Sequence, residues 1–216
     1  MNKVVTTVFK SDVALALESE TSQVKRRVGI MGGTFNPIHN GHLIMAEQVR
    51  SQLGLDEILF IPNNIPPHID TKTAIDGSMR AKLIELAIKD NANFELERIE
   101  LNKGGVSYSI DTIIELKRQH PDTQYYFIIG GDEVAYLPKW HRIDELITMI
   151  TFVAVKRNGF EQHSKYPVIW VDTPLIEISS TDIRQRIIQQ RSIRYLVPVK
   201  VAEYIVKNGL YQDERH

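Results

Sequence analysis

The chain has 216 residues, 43% of them apolar, enough for one well-filled domain with a small appendage. Acidic and basic residues nearly cancel, 27 against 26, which excludes a broad cationic surface for nucleic-acid binding and makes any anion site a local one. With no cysteine there are no disulfides, thiolate nucleophiles or cysteine-containing metal sites, a composition compatible with the cytoplasm.

Residues 1–27 read as an N-terminal extension, a mobile arm or short helix. Its apolar runs VVTTVF and VALAL are split by Lys10, Ser11 and Asp12, too broken for a signal-peptide core. No run approaches the roughly 18 apolar residues of a membrane span. From residue 28 the pattern alternates. VGIMG (28–32) is a short apolar strand, and the helix after it places Leu43, Ala46, Val49 and Leu53 near one face. EILFI (57–61) is a second strand, followed by the turn-rich PNNIPPHIDTKTAIDG (62–77) and a helix in SMRAKLIELAIKD (78–90), with Ser78 as the expected cap. Arg80, early on that amphipathic helix, reads as exposed.

FELERIEL (94–101) alternates like a strand, YSIDTIIELKRQ (108–119) is helical and YYFIIG (125–130) is a buried strand. IDELITMI (143–150) and TFVAV (151–155) give another helix and strand, and VIWVD (168–172) a further strand. SSTDIRQRIIQQ (179–190) begins as a capped helix, and VPVKVAEYIVKNGLY (197–211) is helical, with Pro198 near its start and Gly209 as its stop. The alternation predicts an α/β fold, a Rossmann-like doubly wound parallel sheet. The domain would span 28–216, including a small helical C-terminal part from about residue 179. Such sheets bind ligands outside the carboxyl ends of the strands, where the winding reverses.

GGTFNPIHNGHL (32–43) follows the first strand. Gly32 and Gly33 let backbone amides approach a ligand closely, and a helix beginning near Asn40 adds free amides and a positive dipole end. His39 and His42, three apart, lie on one side of the first turn and can donate to one polyphosphate, with Gly41 keeping the space between them open. The spacing is neither the G-x-G-x-x-G of dinucleotide-binding turns nor Walker A, and it is not the H-E-x-x-H of zinc enzymes. By spacing alone, H-x-x-H is also compatible with histidines that merely cap a helix.

Together with FIIGGDEVAYLPKWHR (127–142) and ISSTDIR (178–184), the stretch resembles the H-x-G-H nucleotidyltransferases, and the three motifs in order resemble bacterial nicotinate-nucleotide adenylyltransferases over about residues 28–212. The resemblance implies transfer of the adenylyl group of ATP to nicotinate mononucleotide, with pyrophosphate released, in NAD biosynthesis. It implies His39, His42 and Arg184 as catalytic residues, and ATP contacts from Gly32, Gly33, Thr34, Phe35, Gly130, Asp132, Ile178, Ser179, Ser180 and Thr181. For the mononucleotide it implies His68, Lys72, Tyr108, Ser109 and Trp140, the last as a stacking face for the pyridine. Mg²⁺ is implied as a cofactor held mainly by substrate oxygens, so no protein metal site is expected. Two positions depart from the family. Asn36 stands where many members have aspartate, and Ile69 follows His68 where lysine is common, so that Lys72 is the candidate replacement. A phosphopantetheine adenylyltransferase-like enzyme and a non-catalytic nucleotide-binding module remain as alternatives. No nucleic-acid or membrane partner is expected, and assembly as a homo-oligomer is left open.

Overall fold

The computed structural model describes residues 25–67, 74–156, 163–174 and 176–212. Strands β1 (Arg26–Gly33), β2 (Glu57–Pro62), β3 (Phe94–Leu96), β4 (Thr123–Gly130), β5 (Thr151–Val155) and β6 (Val168–Val171) form one sheet in the order β3-β2-β1-β4-β5-β6. Every pairing is parallel. Parallel neighbours require crossovers, and the helices that make them cover both faces, so strands buried on two sides carry nearly continuous apolar runs such as YYFII.

Alternation along the strands divides the core in two. Met31, Phe60, Tyr126, Ile128, Val153 and Val155 point to one face, where they meet Ala46 and Val49 of α1 (Asn40–Leu53) and Leu83, Ile84 and Ile88 of α2 (Gly77–Ile88). The same face takes Ile183 of α6 (Ser180–Ile188) and Val201 and Ile205 of α7 (Val199–Lys207). Val28, Ile30, Phe127, Ile129 and Phe152 point to the other face, against Ile110, Ile113 and Leu116 of α4 (Ser109–Gln119) and Leu146 of α5 (Ile143–Met149). Each such side chain contributes roughly 1.5–3 kcal/mol by leaving water. Gly29 lies where β1 is packed most tightly: a Cβ there would come within 2.4 Å of Ile58 Cδ1.

The structure corrects three local expectations. FELERIEL is a strand only over Phe94–Leu96; Ile99–Lys103 turns into the short helix α3, and the lone alternating stretch lacked a partner along its second half. Asp76, not Ser78, caps α2: its carboxylate accepts the Ser78 N–H at 2.8 Å, because the acceptor must sit ahead of the first helical residue and Ser78 already lies inside the helix. Arg80 is 3% exposed, not solvated. A 3-10 helix over Glu133–Lys139, with Pro138 inside it, had no periodic signal. Other ends follow the sequence: Ser179 Oγ accepts the Asp182 N–H at 3.1 Å at the start of α6, and Gly209 takes φ 60° after α7. Arg26 and Arg27 already belong to β1, which starts two residues before its apolar run.

Candidate active site

The sheet order reverses between β1 and β4, so the crevice for a ligand opens beyond Gly33 and Gly130. Gly32 is exposed there and Gly33 half-buried, leaving the backbone approachable. The chain then turns sharply. Phe35 sits at φ 49°, Asn36–Pro37 is a cis peptide, and His39 in extended conformation becomes the N-cap of α1.

The two imidazoles stack face to face, with ring centroids 3.7 Å apart and planes inclined by 25°. Phe35 presses its ring edge-to-face on His42 at 5.1 Å, which holds the pair from behind. The His39 backbone N–H donates to His42 Nδ1 at 3.2 Å. A nitrogen that accepts carries no proton, so the other nitrogen of His42, Nε2, is the N–H donor. Gly41 has a steric reason to be glycine: a Cβ there would stand 3.0 Å from His39 Nδ1 and 3.2 Å from its Cε1.

Helix α6 starts beside this turn and is bound to it. Ser180 Oγ donates to the Pro37 carbonyl at 2.8 Å, and Arg184 Nη1 donates to the Asn36 carbonyl at 2.8 Å while Nη2 reaches Thr181 Oγ1 at 3.3 Å. Between α1 and the segment leading into α6 lies a cavity of about 570 Å³. His39, His42, Ser179 and Ser180 line one part of it, and Ile44, Met45, Pro174, Ile176 and Ile178 give it apolar walls. Lys156, Thr173 and Glu177 also line it, and none of these was singled out from sequence, because they follow β5 and β6 without a motif of their own. Lys156 Nζ pairs with Asp172 at 2.6 Å.

On the opposite face of the sheet a second group of the predicted residues comes together. Tyr108 is the extended N-cap of α4, Ser109 its first residue, and the Tyr108 ring lies 4.4 Å from that of His141. His141 was missed from sequence; its adjacency to Trp140 was the only signal. Trp140 is half-buried and is held edge-to-face by Phe127 at 5.6 Å and Phe152 at 5.7 Å, which fixes the plane of the indole. The loop after β2 is tied to the entrance of α4: Asn64 N–H donates to Ser107 Oγ at 2.9 Å, and Asn64 Nδ2 donates to the Gly105 carbonyl at 2.9 Å. Behind them Glu100 accepts from Thr112 Oγ1 at 2.7 Å, and burial pushes its carboxyl pKa up.

Gly130 ends β4, and Asp132 is half-buried at the start of the 3-10 helix. Thr34 Oγ1 accepts from Asn63 Nδ2 at 3.2 Å. Asn36, 5% exposed, accepts the Ile75 N–H on Oδ1 at 3.4 Å. His68 and Lys72 lie outside the described residues. Among the described residues no group of three or more His, Asp or Glu side chains is placed to hold a metal, and no helix is long and apolar enough to cross a membrane.

A parallel sheet whose reversal point carries a glycine turn and stacked imidazoles at a helix start, faced by a second helix start, defines a nucleotidyltransferase of the cytidylyltransferase-like class. The Cytidylyltransferase-like family model matches residues 30–186. Two curated relatives bear the name "Probable nicotinate-nucleotide adenylyltransferase". One, from Lactiplantibacillus plantarum, is 55% identical, with 95% of this chain and 98% of the relative covered. The other, from Enterococcus faecalis, is 50% identical, covering 94% and 93%. The chain belongs to the nicotinate-nucleotide adenylyltransferase family. In fold it is similar to Plasmodium falciparum nicotinic acid mononucleotide adenylyltransferase, solved in complex with NaAD, at a TM-score of 0.73, 19% identity and 86% and 97% coverage.

Proposed function

We propose that this enzyme joins ATP and nicotinate mononucleotide into nicotinate adenine dinucleotide and pyrophosphate. An oxygen of the mononucleotide's phosphate attacks the α-phosphorus of ATP, the bond from that phosphorus to the β-phosphate's bridging oxygen breaks, and pyrophosphate leaves with the electron pair. The acceptor is already an anion, so no enzyme nucleophile is required; the protein must align two mutually repelling anions and stabilise the departing charge. The observation that carries this reading is the imidazole pair, with the His42 proton fixed on Nε2 beside a cavity whose opposite wall is the start of α6.

In this reading the triphosphate lies between α1 and α6, its adenosine against the apolar walls formed by Met45, Pro174 and Ile178. Gly130 and Asp132 border the ribose, and the hydroxyls of Ser179, Ser180 and Thr181 together with the α6 amides meet phosphate oxygens. The mononucleotide stacks its pyridine on Trp140 and sets its carboxylate at Tyr108 and Ser109, where the α4 start supplies free amides. His68 and Lys72 remain proposed partners of its phosphate. Mg²⁺, bound by phosphate oxygens, would neutralise charge on the leaving pyrophosphate; the imidazole-rich donor set suits a substrate-held hard cation rather than a protein cage.

The test is incubation with ATP, Mg²⁺ and either nicotinate or nicotinamide mononucleotide, following pyrophosphate and the dinucleotide. Hydrogen bonds to a charged group contribute about 1.5–3 kcal/mol, so the nicotinate form should be used roughly 10- to 100-fold more efficiently. Equal use of both acceptors would refute the carboxylate site. Release of pyrophosphate only with another phosphorylated acceptor would refute the reaction. His42→Ala should lower kcat more than it raises KM, because its donor strengthens as charge develops.

A further inference from the structure

Arg80 is a buried cation that the reaction above does not use. It stands in the first turn of α2 and is 3% exposed, and burial pulls its guanidinium pKa down. No carboxylate forms an ion pair with it among the described residues. Its donors go mainly to main-chain carbonyls instead: Nη1 to Thr34 at 2.7 Å, Nη2 to Asn63 at 2.7 Å and Nε to Ile75 at 3.1 Å, with Nη1 also 3.5 Å from Asn63 Oδ1. Burying a guanidinium with no carboxylate in direct contact is costly, so the fork is expected to do more than fill space.

What it holds is the glycine turn. A trans peptide is planar, with its C=O and N–H on opposite sides. The Thr34–Phe35 peptide is trans, so drawing the Thr34 carbonyl toward α2 points the Phe35 N–H the other way. That N–H has no acceptor among the described residues, whereas main-chain donors in folded proteins are nearly always paired. Phe35 is also held at φ 49°, a conformation that bulky residues rarely adopt and that persists only where the surroundings impose it. Arg184 grips the following residue through the Asn36 carbonyl, but that peptide leads into Pro37 and has no N–H to aim. Only the Arg80 fork therefore orients a donor.

Resting on the adenylyl-transfer reading, we propose that Arg80 is a positioning residue: it fixes the Thr34–Phe35 peptide plane so that the Phe35 N–H faces a phosphate oxygen of the bound substrate. Its charge alone is not enough. Lysine at this position keeps the charge but cannot bond three carbonyls in one plane.

The experiment uses the full chain labelled with [¹⁵N]phenylalanine and titrated with inorganic pyrophosphate, then assayed with both substrates. In the unaltered protein the Phe35 amide proton should move downfield as pyrophosphate saturates the site. Arg80→Lys should bind pyrophosphate without that movement and lose roughly 10- to 30-fold in kcat, with KM for either substrate changed less than about threefold. Arg80→Met should lose at least as much. A stationary Phe35 amide in the unaltered protein would overturn the proposal even if neither variant folded. So would a folded Arg80→Lys with the same amide movement and kcat within twofold. If the amide moves in an arginine-dependent way but no dinucleotide forms, the positioning role stands and the assigned reaction falls.

Discussion

Gly41→Ala separates folding from catalysis at a single atom. The added Cβ would lie 3.0 Å from His39 Nδ1 and 3.2 Å from its Cε1, so the ring must withdraw by a few tenths of an ångström. It cannot do so alone, because His42 is stacked on it at 3.7 Å and Phe35 backs His42 at 5.1 Å. The backbone itself accepts alanine: position 41 is in the first turn of α1 with no left-handed φ, and replacing a helical glycine contributes up to about 1 kcal/mol of stability. That gain offsets the strain of moving the ring, leaving Tm within about 2–4 °C of the parent for a domain of this size. Catalysis has no such compensation, since displacing donors by a fraction of an ångström to one ångström costs up to about 100-fold. A pyrophosphate-release assay should show kcat lowered roughly 10- to 100-fold, with Tm still within about 2–4 °C of the parent. Full turnover in a variant of normal stability would mean that the imidazole stack is not part of the reaction. Loss of both together would mean that Gly41 serves the fold rather than the site.

Three further perturbations read other parts of the molecule. In Glu100 burial raises the carboxyl pKa, so the folded chain binds this proton more tightly than the unfolded one; its contribution to stability is complete below the unfolded pKa and is lost as pH rises through the folded value. Glu100→Gln should therefore flatten the fall in Tm across that window and raise Tm at pH 8; an unaltered pH slope would count against the buried charge. Gly29→Ala drives a Cβ to 2.4 Å from Ile58 Cδ1 and should cost about 1–3 kcal/mol in urea unfolding with no change in m; a neutral result would show that the core gives way more easily than its packing implies. Trp140→Leu removes the face held by Phe127 and Phe152, and should raise KM for nicotinate mononucleotide about tenfold while leaving KM for ATP within about twofold; equal effects on both would separate Trp140 from the acceptor.

The sheet was legible because parallel strands buried on both faces cannot hide their apolar runs: EILFI and TFVAV announce themselves, and a parallel sheet with helices on both faces follows from the alternation. Capping residues gave the starts of α6 and the stop of α7 for similarly local reasons. Arg80 was not legible. Its sequence neighbours describe an exposed helical arginine, and the three carbonyls that bury it come from Thr34, Asn63 and Ile75, each set in place by tertiary structure. The cavity wall from Thr173 to Ile178 was hidden in the same way, being loop with little internal pattern, and only ISSTDIR at its end carried a sign of the site. Motif residues were thus visible and the residues that orient them were not, because orientation is a property of contacts far apart in the chain.

The order of the strands also explains why the two substrates would meet in line. Helices α1 and α6, which bear the imidazoles and the serines, pack on one face of the sheet; α4 and the aromatic pair Tyr108–His141 belong to the other. In the proposed reading each substrate would be held by its own layer, ATP by the first and the mononucleotide by the second, and the strand order reverses at the gap beyond β1 and β4. The glycine turn ends β1 at that gap, where the proposed phosphates of both substrates would converge. Two anions approaching from opposite faces of one sheet are placed on opposite sides of the phosphorus between them, which is the alignment that displacement of pyrophosphate demands. On the proposed reading the doubly wound topology would supply the in-line approach, and the side chains at the turn would hold and orient donors where the topology brings the phosphates together.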